Sequence, residues 1–307
     1  MVIPLTPPSE TENISAHADW LELIALTADD SNSSRGDLEQ VLRRSGTFES
    51  AGAEADDKID SHCVDVFALL TQRSKISGSA YPFKVTSGVI TRKNRTLPTE
   101  HLPYVFCLCV SYFTGELPKT NKSDPRLMFE EMSCYALAAY IGGDYFLFGT
   151  GRSGTTSRGF KDSVKDLCNF LDEGIGFREQ DTLHKQDDHL DIVAIQNFPD
   201  SKRSKLIVFG QCATGKNWTS KILELHPKIF CDQWMSGTVV SPLMRSFLTP
   251  HVIADNRWDY YARQAGLLFD RTRVSCWASK HEKIIEITGP IRQWLKLCLP
   301  ASVISKG

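Results

Sequence analysis

No stretch of the 307-residue chain reaches the roughly 18 consecutive apolar residues that suggest a membrane-spanning helix, so no membrane association is expected. Neither sign of charge is in excess: 35 Lys and Arg stand against 37 Asp and Glu, a formal net charge of −2. That balance argues against a protein that coats nucleic acid through bulk electrostatics, because such domains are usually strongly basic, but it leaves room for a local basic groove. Paired C-x2-C spacings are absent too. The nine cysteines (Cys63, Cys107, Cys109, Cys134, Cys168, Cys212, Cys231, Cys276, Cys298) are scattered, which argues against a structural zinc site or a disulfide framework. Most sit in apolar runs such as Val105–Val110, as buried free thiols of a reducing cytosol do. The first residues, Met1 to Pro8, lack a positive region followed by a continuous apolar one, so no signal peptide is expected and a cytoplasmic location is. What is present is ordinary: 41% hydrophobic and 23% charged residues, which excludes collagen-like, coiled-coil and largely disordered chains. The length suits about two domains.

The N-terminal part, residues 1–100, reads as mainly helical. Trp20–Leu26 is a short helix, Asp37–Leu42 starts a second with Asp37 at its N-cap, and Ile59–Arg73 carries Val64, Phe67 and Leu70 at helical spacing. Tyr81–Val85 is extended. The remainder, residues 101–307, has a different texture. Tyr104–Tyr112 is apolar and fits either a buried strand or part of a helix. A strong helix runs from about Pro125 to Tyr140 and stops at Gly142-Gly143. A strand at Tyr145–Gly149, a loop over 150–158 and a helix over Phe160–Leu171 follow. Leu190–Ile195 and Leu206–Gly210 are apolar on both faces, as central strands of a covered sheet are. Helices are expected at 217–225, 257–266 and 288–298, and a strand at His251–Ala254.

Chemistry-bearing residues stand out against this frame. Stepping about 100° per residue from Phe129 gathers Met132, Ser133, Ala136, Leu137 and Tyr140 on one face. Glu130 falls on the flank of that face and needs a partner if buried, whereas Glu131 lies nearly opposite and reads as solvated. Asp191 sits inside an apolar strand, where an acid must be hydrogen-bonded, paired or bound to a metal. Gln211 ends the next strand on the face of Ile207 and Phe209, with Lys216 and Lys221 shortly after. Oxygen ligands with a nearby lysine are what metal-assisted phosphodiester hydrolysis requires.

The segments Leu127–Glu131, Asp188–Val193 and Ile207–Ala213 together resemble the PD-(D/E)XK restriction-endonuclease-like nucleases, especially the Mrr-like branch in which Gln replaces the second acid. The resemblance covers about residues 127 to 221. It implies an α/β fold with a restriction-endonuclease-like core, a mixed central sheet flanked by helices, beside the small helical N-terminal region. It implies a DNA endonuclease dependent on Mg2+ or Mn2+, of bacterial defence or restriction, with Glu130, Asp191, Gln211 and the Cys212 backbone carbonyl as metal ligands. Two features depart from the family. Its lysine, two residues after the Gln, is Ala213 here, so Lys216 or Lys221 would have to activate water, and the gap between Glu130 and Asp191 holds an extra helix. A catalytically silent nuclease-fold module that acts by protein interaction is therefore a competing expectation.

A second competitor uses the same residues. Gly210–Asn217 nearly satisfies the P-loop pattern G-x-x-x-x-G-K-[ST], after a strand and before a helix, with Asp270 as the acid of a nucleotide hydrolase. Against it, Asn217 stands where the Mg2+-binding hydroxyl belongs, and Asp191 is left without a role. Two basic stretches, Lys84/Arg92/Lys93/Arg95 and Lys202/Arg203/Lys205, read either as a phosphate-tracking groove or as solvated loops. Gly149–Ser157 fits no dinucleotide fingerprint, the spacing of His184, His189 and His281 suggests no triad, and Cys212 has no evident His partner for nucleophilic work. With its charge in balance, a nuclease of this kind is expected to hold DNA weakly and salt-dependently, and to need oligomerisation, a partner subunit or an activating signal.

Overall fold

A computed structural model describes residues 5–8, 14–45, 53–115, 117, 124–148, 159–179 and 188–304. The chain forms two compact units, Met1–Pro118 with Thr288–Gly307, and Lys119–Ile287.

The first unit opens with α1 (Ile14–Thr27), β1 (Asn32–Ser34), α2 (Arg35–Ser45) and α3 (Ala53–Ser77), continues through β2 (Phe83–Thr86) and β3 (Val89–Arg92), and reaches α4 (Leu102–Tyr112). The strands make an antiparallel sheet of order β1-β3-β2. Asp37 is not the N-cap of α2. Ser34 caps it, and Asp37 reaches back: Asp37 N donates to Ser34 Oγ (3.2 Å) and Ser34 N to Asp37 Oδ2 (2.7 Å). This reciprocal pair is a capping box. The ambiguous run Tyr104–Tyr112 is helical and buried on all sides, which is why it shows no helical period. A helix of that kind needs cover all round, and the C-terminal residues help to provide it. Trp294 stands edge-on to Phe106 (5.2 Å between centroids), and Leu97 N donates to Val303 O (3.0 Å). The unit boundaries therefore differ from 1–100 and 101–307. One polar cluster lies in this core. Glu22, wholly buried, accepts from the Tyr81 and Tyr104 hydroxyls (2.8 Å each) and pairs with Arg73 (3.0 Å), which also bonds Asp19 (2.7 Å).

The second unit runs α5 (Pro125–Ile141), β4 (Asp144–Leu147), α6 (Phe160–Leu171), β5 (Ile192–Gln196), β6 (Leu206–Cys212), α7 (Trp218–Lys221), α8 (Pro227–Trp234), β7 (Leu243–Leu248), α9 (Asp255–Ala265), β8 (Leu267–Phe269) and α10 (Arg271–Ala278). Its sheet is mixed: β4, β5 and β6 are antiparallel neighbours, and β7 and β8 continue parallel to β6. The strand expected at 251–254 is a turn, in which His251 N donates to Thr249 Oγ1 (3.5 Å), and the sheet instead uses Leu243–Leu248, buried at its C-terminal half. α5 packs on β4–β6 and carries α10 on its far side. On the opposite face Val193, Ile195, Ile207 and Phe209 meet Val164, Leu167 and Phe230 from α6 and α8. Gly142 ends α5 in the left-handed conformation (φ 69°), and Gly143 lets the next turn touch the sheet, since a Cβ there would fall 1.9 Å from Ile195 O. α11 (Ile284–Leu295) carries the chain from this unit back to the first, which ends with α12 (Ala301–Ile304). The protein is thus α/β, with a mixed five-stranded sheet and a small antiparallel one, and none of its described helices is long and apolar enough to cross a membrane.

Candidate functional site

β5 stops pairing two residues short of the end of β6. Its first paired residue is Ile192, opposite Gly210, so Cys212 extends beyond it. An amide at such an edge needs another acceptor. Asp191 supplies one: its Oδ2 accepts from Cys212 N at 2.6 Å, a short charge-assisted bond. The Asp191 main chain is fixed as well, its N–H donating to Gly210 O (3.1 Å) and its carbonyl accepting from Phe148 N (2.8 Å). The chain enters this position through Asp188 (φ 47°) and His189 (φ 66°), two consecutive left-handed residues. Tertiary contacts hold them there. Trp234 Nε1 donates to Asp188 Oδ2 (2.7 Å), and His189 Nδ1 lies 3.2 Å from Glu224 Oε2.

Gln211 is one step beyond the last β5–β6 pair, between the two residues that Asp191 bonds, Gly210 through its N–H and Cys212 through its carboxylate. It is 4% exposed, and its Nε2 donates to Glu224 Oε2 at 2.8 Å. An ionised carboxylate only accepts, so the nitrogen end must face Glu224 and the oxygen end must face away. That oxygen, Gln211 Oε1, is buried and has no hydrogen-bond partner among the described residues. A buried acceptor left unmade is destabilising by roughly 1–3 kcal/mol, so it calls for an explanation. Glu224 was not among the residues singled out by sequence, and nothing local marks it. It follows α7, its N–H bonds Lys221 O (3.1 Å), and only the folding of that turn over β6 brings it to Gln211.

Glu130 enters from the other face. Side chains alternate along β6, so Gln211 points with Ile207 and Phe209 toward α6 and α8, while Cys212 points toward α5. The Cys212 thiol is held well above the ordinary thiol range, first by burial and then by the charges of Asp191 and Glu130. A thiol held protonated is a poor nucleophile, which removes Cys212 from that role. Glu130 and Asp191 thus both act on Cys212, and Asp191 bonds the residues on either side of Gln211. Glu130 and Gln211 approach from opposite faces, so the three oxygens expected around one point are arranged about the end of β6 instead. Among the described residues no group of three or more His, Cys, Asp or Glu side chains is disposed to hold a metal ion. A cation here would have to draw on the Gln211 amide oxygen and main-chain oxygen as well as carboxylate.

The lysines are placed differently. Ala213 is 3% exposed in an apolar cluster with Trp218, Ile222, Phe247 and Leu268, which a lysine at that position would disrupt. Lys216 is exposed on the loop after β6, and Lys221 ends α7, one turn before Glu224. Neither lysine side chain has a partner among the described residues.

Several expectations need correction. Glu131 is half-buried rather than solvated and accepts from the Tyr135 hydroxyl (2.9 Å), because α5 is covered on most of its circumference. The P-loop pattern finds no cradle. Gly210 lies within β6, paired to Ile192 on one side and Ser246 on the other, so its main chain serves the sheet, and the helix that follows is only four residues long. Its missing side chain serves packing: a Cβ would fall 2.5 Å from Ile192 Cγ1. Asp270 caps α10, accepting from Arg273 N (3.1 Å) and Thr272 Oγ1 (2.6 Å). In the first basic stretch Arg92 bonds Leu26 O (2.7 Å) and Lys93 bonds Tyr81 O (2.8 Å), so both are structural. The second stretch lies in the β5–β6 connection, at the far end of strands that span roughly 20 Å. It does not flank Asp191. His281 stacks on Tyr135 (5.1 Å). His184 and Gly149–Ser157 lie outside the described residues. A surface depression of about 700 Å3 along α8 and β7, lined by His226, Ile229, Asp232 and Arg245, includes none of the site residues.

No protein-family model matches the chain, and no curated protein or solved structure matches it.

Proposed function

We propose that the protein is a Mg2+- or Mn2+-dependent endonuclease that hydrolyses phosphodiester bonds of DNA, with its site at the ends of β5 and β6. The observation that carries this reading is the buried Gln211 Oε1, without a hydrogen-bond partner among the described residues, on the residue between the two that Asp191 bonds. A hard divalent cation is the kind of group that such an oxygen suits. Support also comes from the order of parts: a helix with Glu130, a strand led by Asp191 and a strand ending in Gln211, within a mixed sheet covered by helices. Gln211 Oε1, Asp191 and the Cys212 carbonyl would hold the cation, with Glu130 contributing negative charge from the α5 side. When bound, the cation would supply a low-pKa water and charge for the phosphoryl oxygens. The chain's own share is positioning. Asp191 is pre-set by its bond to Cys212 N, and Gln211 by its bond to Glu224. Lys221, on the turn that carries Glu224, is the better placed of the two lysines to steady an attacking water or the developing charge.

The burial of Ala213 favours a second reading, a nuclease-like module that binds without cleaving. Incubation of supercoiled plasmid with Mg2+ or Mn2+ separates the two. Nicking by the wild type that is lost in Asp191→Asn supports the enzyme. Cation binding dependent on Asp191, without nicking at any protein concentration, supports the silent module. Equal nicking by both proteins would sink the site assignment.

A further inference from the structure

We infer that Glu224 is a positioning residue that locks the Gln211 amide with its oxygen toward the cation site; this rests on the cation-site reading of Asp191 and Gln211 given above. A glutamine amide is a weak choice of metal ligand unless its orientation is controlled. Rotation by half a turn puts two N–H donors where an oxygen is needed, at almost no change in shape. Glu224 Oε2 receives Gln211 Nε2 at 2.8 Å, and in the rotated amide two oxygens would face each other there. The carboxylate is itself braced: His189 Nδ1 lies 3.2 Å from the same oxygen, and the Glu224 main chain is tied to Lys221 O at 3.1 Å. The result is a buried oxygen held in one direction with no hydrogen-bond partner among the described residues. A carboxylate behind a ligand also raises that ligand's basicity, as partners behind metal ligands generally do. Glu224, on a turn outside the sheet, therefore acts on the site through Gln211.

The experiment is calorimetric titration of Mn2+ into the full chain, for the wild type, Glu224→Gln, Asp191→Asn, and the exchange Gln211→Glu with Glu224→Gln. Glu224→Gln lets the Gln211 amide settle either way round, and Mn2+ affinity should fall by about tenfold, the lower range for loss of a partner behind a ligand. In the exchange variant, position 211 carries a carboxylate whose two ends are both oxygen and residue 224 donates to one of them. Affinity should return to within about threefold of wild type, at unchanged net charge. Thermal unfolding of each variant reports whether the fold is intact. Asp191-dependent Mn2+ binding that is unaltered by Glu224→Gln overturns the inference alone. A loss that the exchange does not restore overturns it too, because it would mark a merely structural role. Absence of Asp191-dependent Mn2+ binding in the wild type overturns the cation site and this inference together.

Discussion

Asp191 has two separable jobs, and a pair of substitutions pulls them apart. Its Oδ2 is the acceptor for Cys212 N at the edge of β6, at 2.6 Å. Asp191→Ala removes that acceptor and leaves a half-buried donor unpaired, which should destabilise the second unit by about 1–3 kcal/mol. For a unit of this size each kcal/mol lowers the melting temperature by about 2–4 °C, so the fall should lie at about 2–12 °C. Asp191→Asn keeps an acceptor oxygen at the same reach and loses only the charge-assisted part of the bond. Its melting temperature should therefore stay within about 4 °C of wild type, or roughly 1 kcal/mol. In the cleavage assay the two variants should behave alike. Both lack the carboxylate ligand, and Mn2+-dependent nicking should drop by about 100-fold or more, beyond the effect of losing an outer partner. Scanning fluorimetry and plasmid nicking on the same preparations check both halves. Wild-type nicking by Asp191→Asn would refute the ligand role. A melting temperature unchanged in Asp191→Ala would refute the edge-capping role, whatever the cleavage result.

Other outcomes follow from the same reasoning. Glu22→Ala removes one of the two carboxylates paired with the buried Arg73 cation and the acceptor of the buried Tyr81 and Tyr104 hydroxyls, and should lower stability by about 3–5 kcal/mol in urea titrations. Burial holds His62 and His101 below the ordinary histidine value of 6.5, so the unfolded chain takes up protons before the folded one as pH falls. Their contribution is present above about pH 6.5 and is lost below it; the urea midpoint should be lower at pH 5.5 than at pH 7.5, and the difference should shrink in His62→Gln with His101→Gln. Lys221→Ala should reduce nicking more than Lys216→Ala, and equal effects would argue against the placement of Lys221 beside Glu224.

The elements with strong local signals were legible. α5, with its glycine stop, and the two apolar strands around Asp191 and Gln211 stand close to where their sequences place them, because local capping and an unbroken apolar run need no tertiary context. The strand β7 was misplaced because Leu243–Leu248 carries Arg and Ser amid its apolar residues, and only its parallel partners on both sides make it a strand. α4 was ambiguous for the opposite reason. A helix covered on every side has no polar stripe to reveal its period.

By itself the sequence determined an α/β chain without a membrane-spanning helix, the residue types around one candidate site, and the alternation that sets Gln211 and Cys212 on opposite faces of a strand. The tertiary structure decided the rest. It put Gly210 inside the sheet, paired from both sides, held the thiol of Cys212 protonated, and separated the basic loop at 202–205 from Asp191. It also brought Glu224, distant from Asp191 in sequence, onto the Gln211 amide and so gave that amide a direction. These are matters of which groups lie across from one another, and a pattern of neighbours along one chain does not contain them.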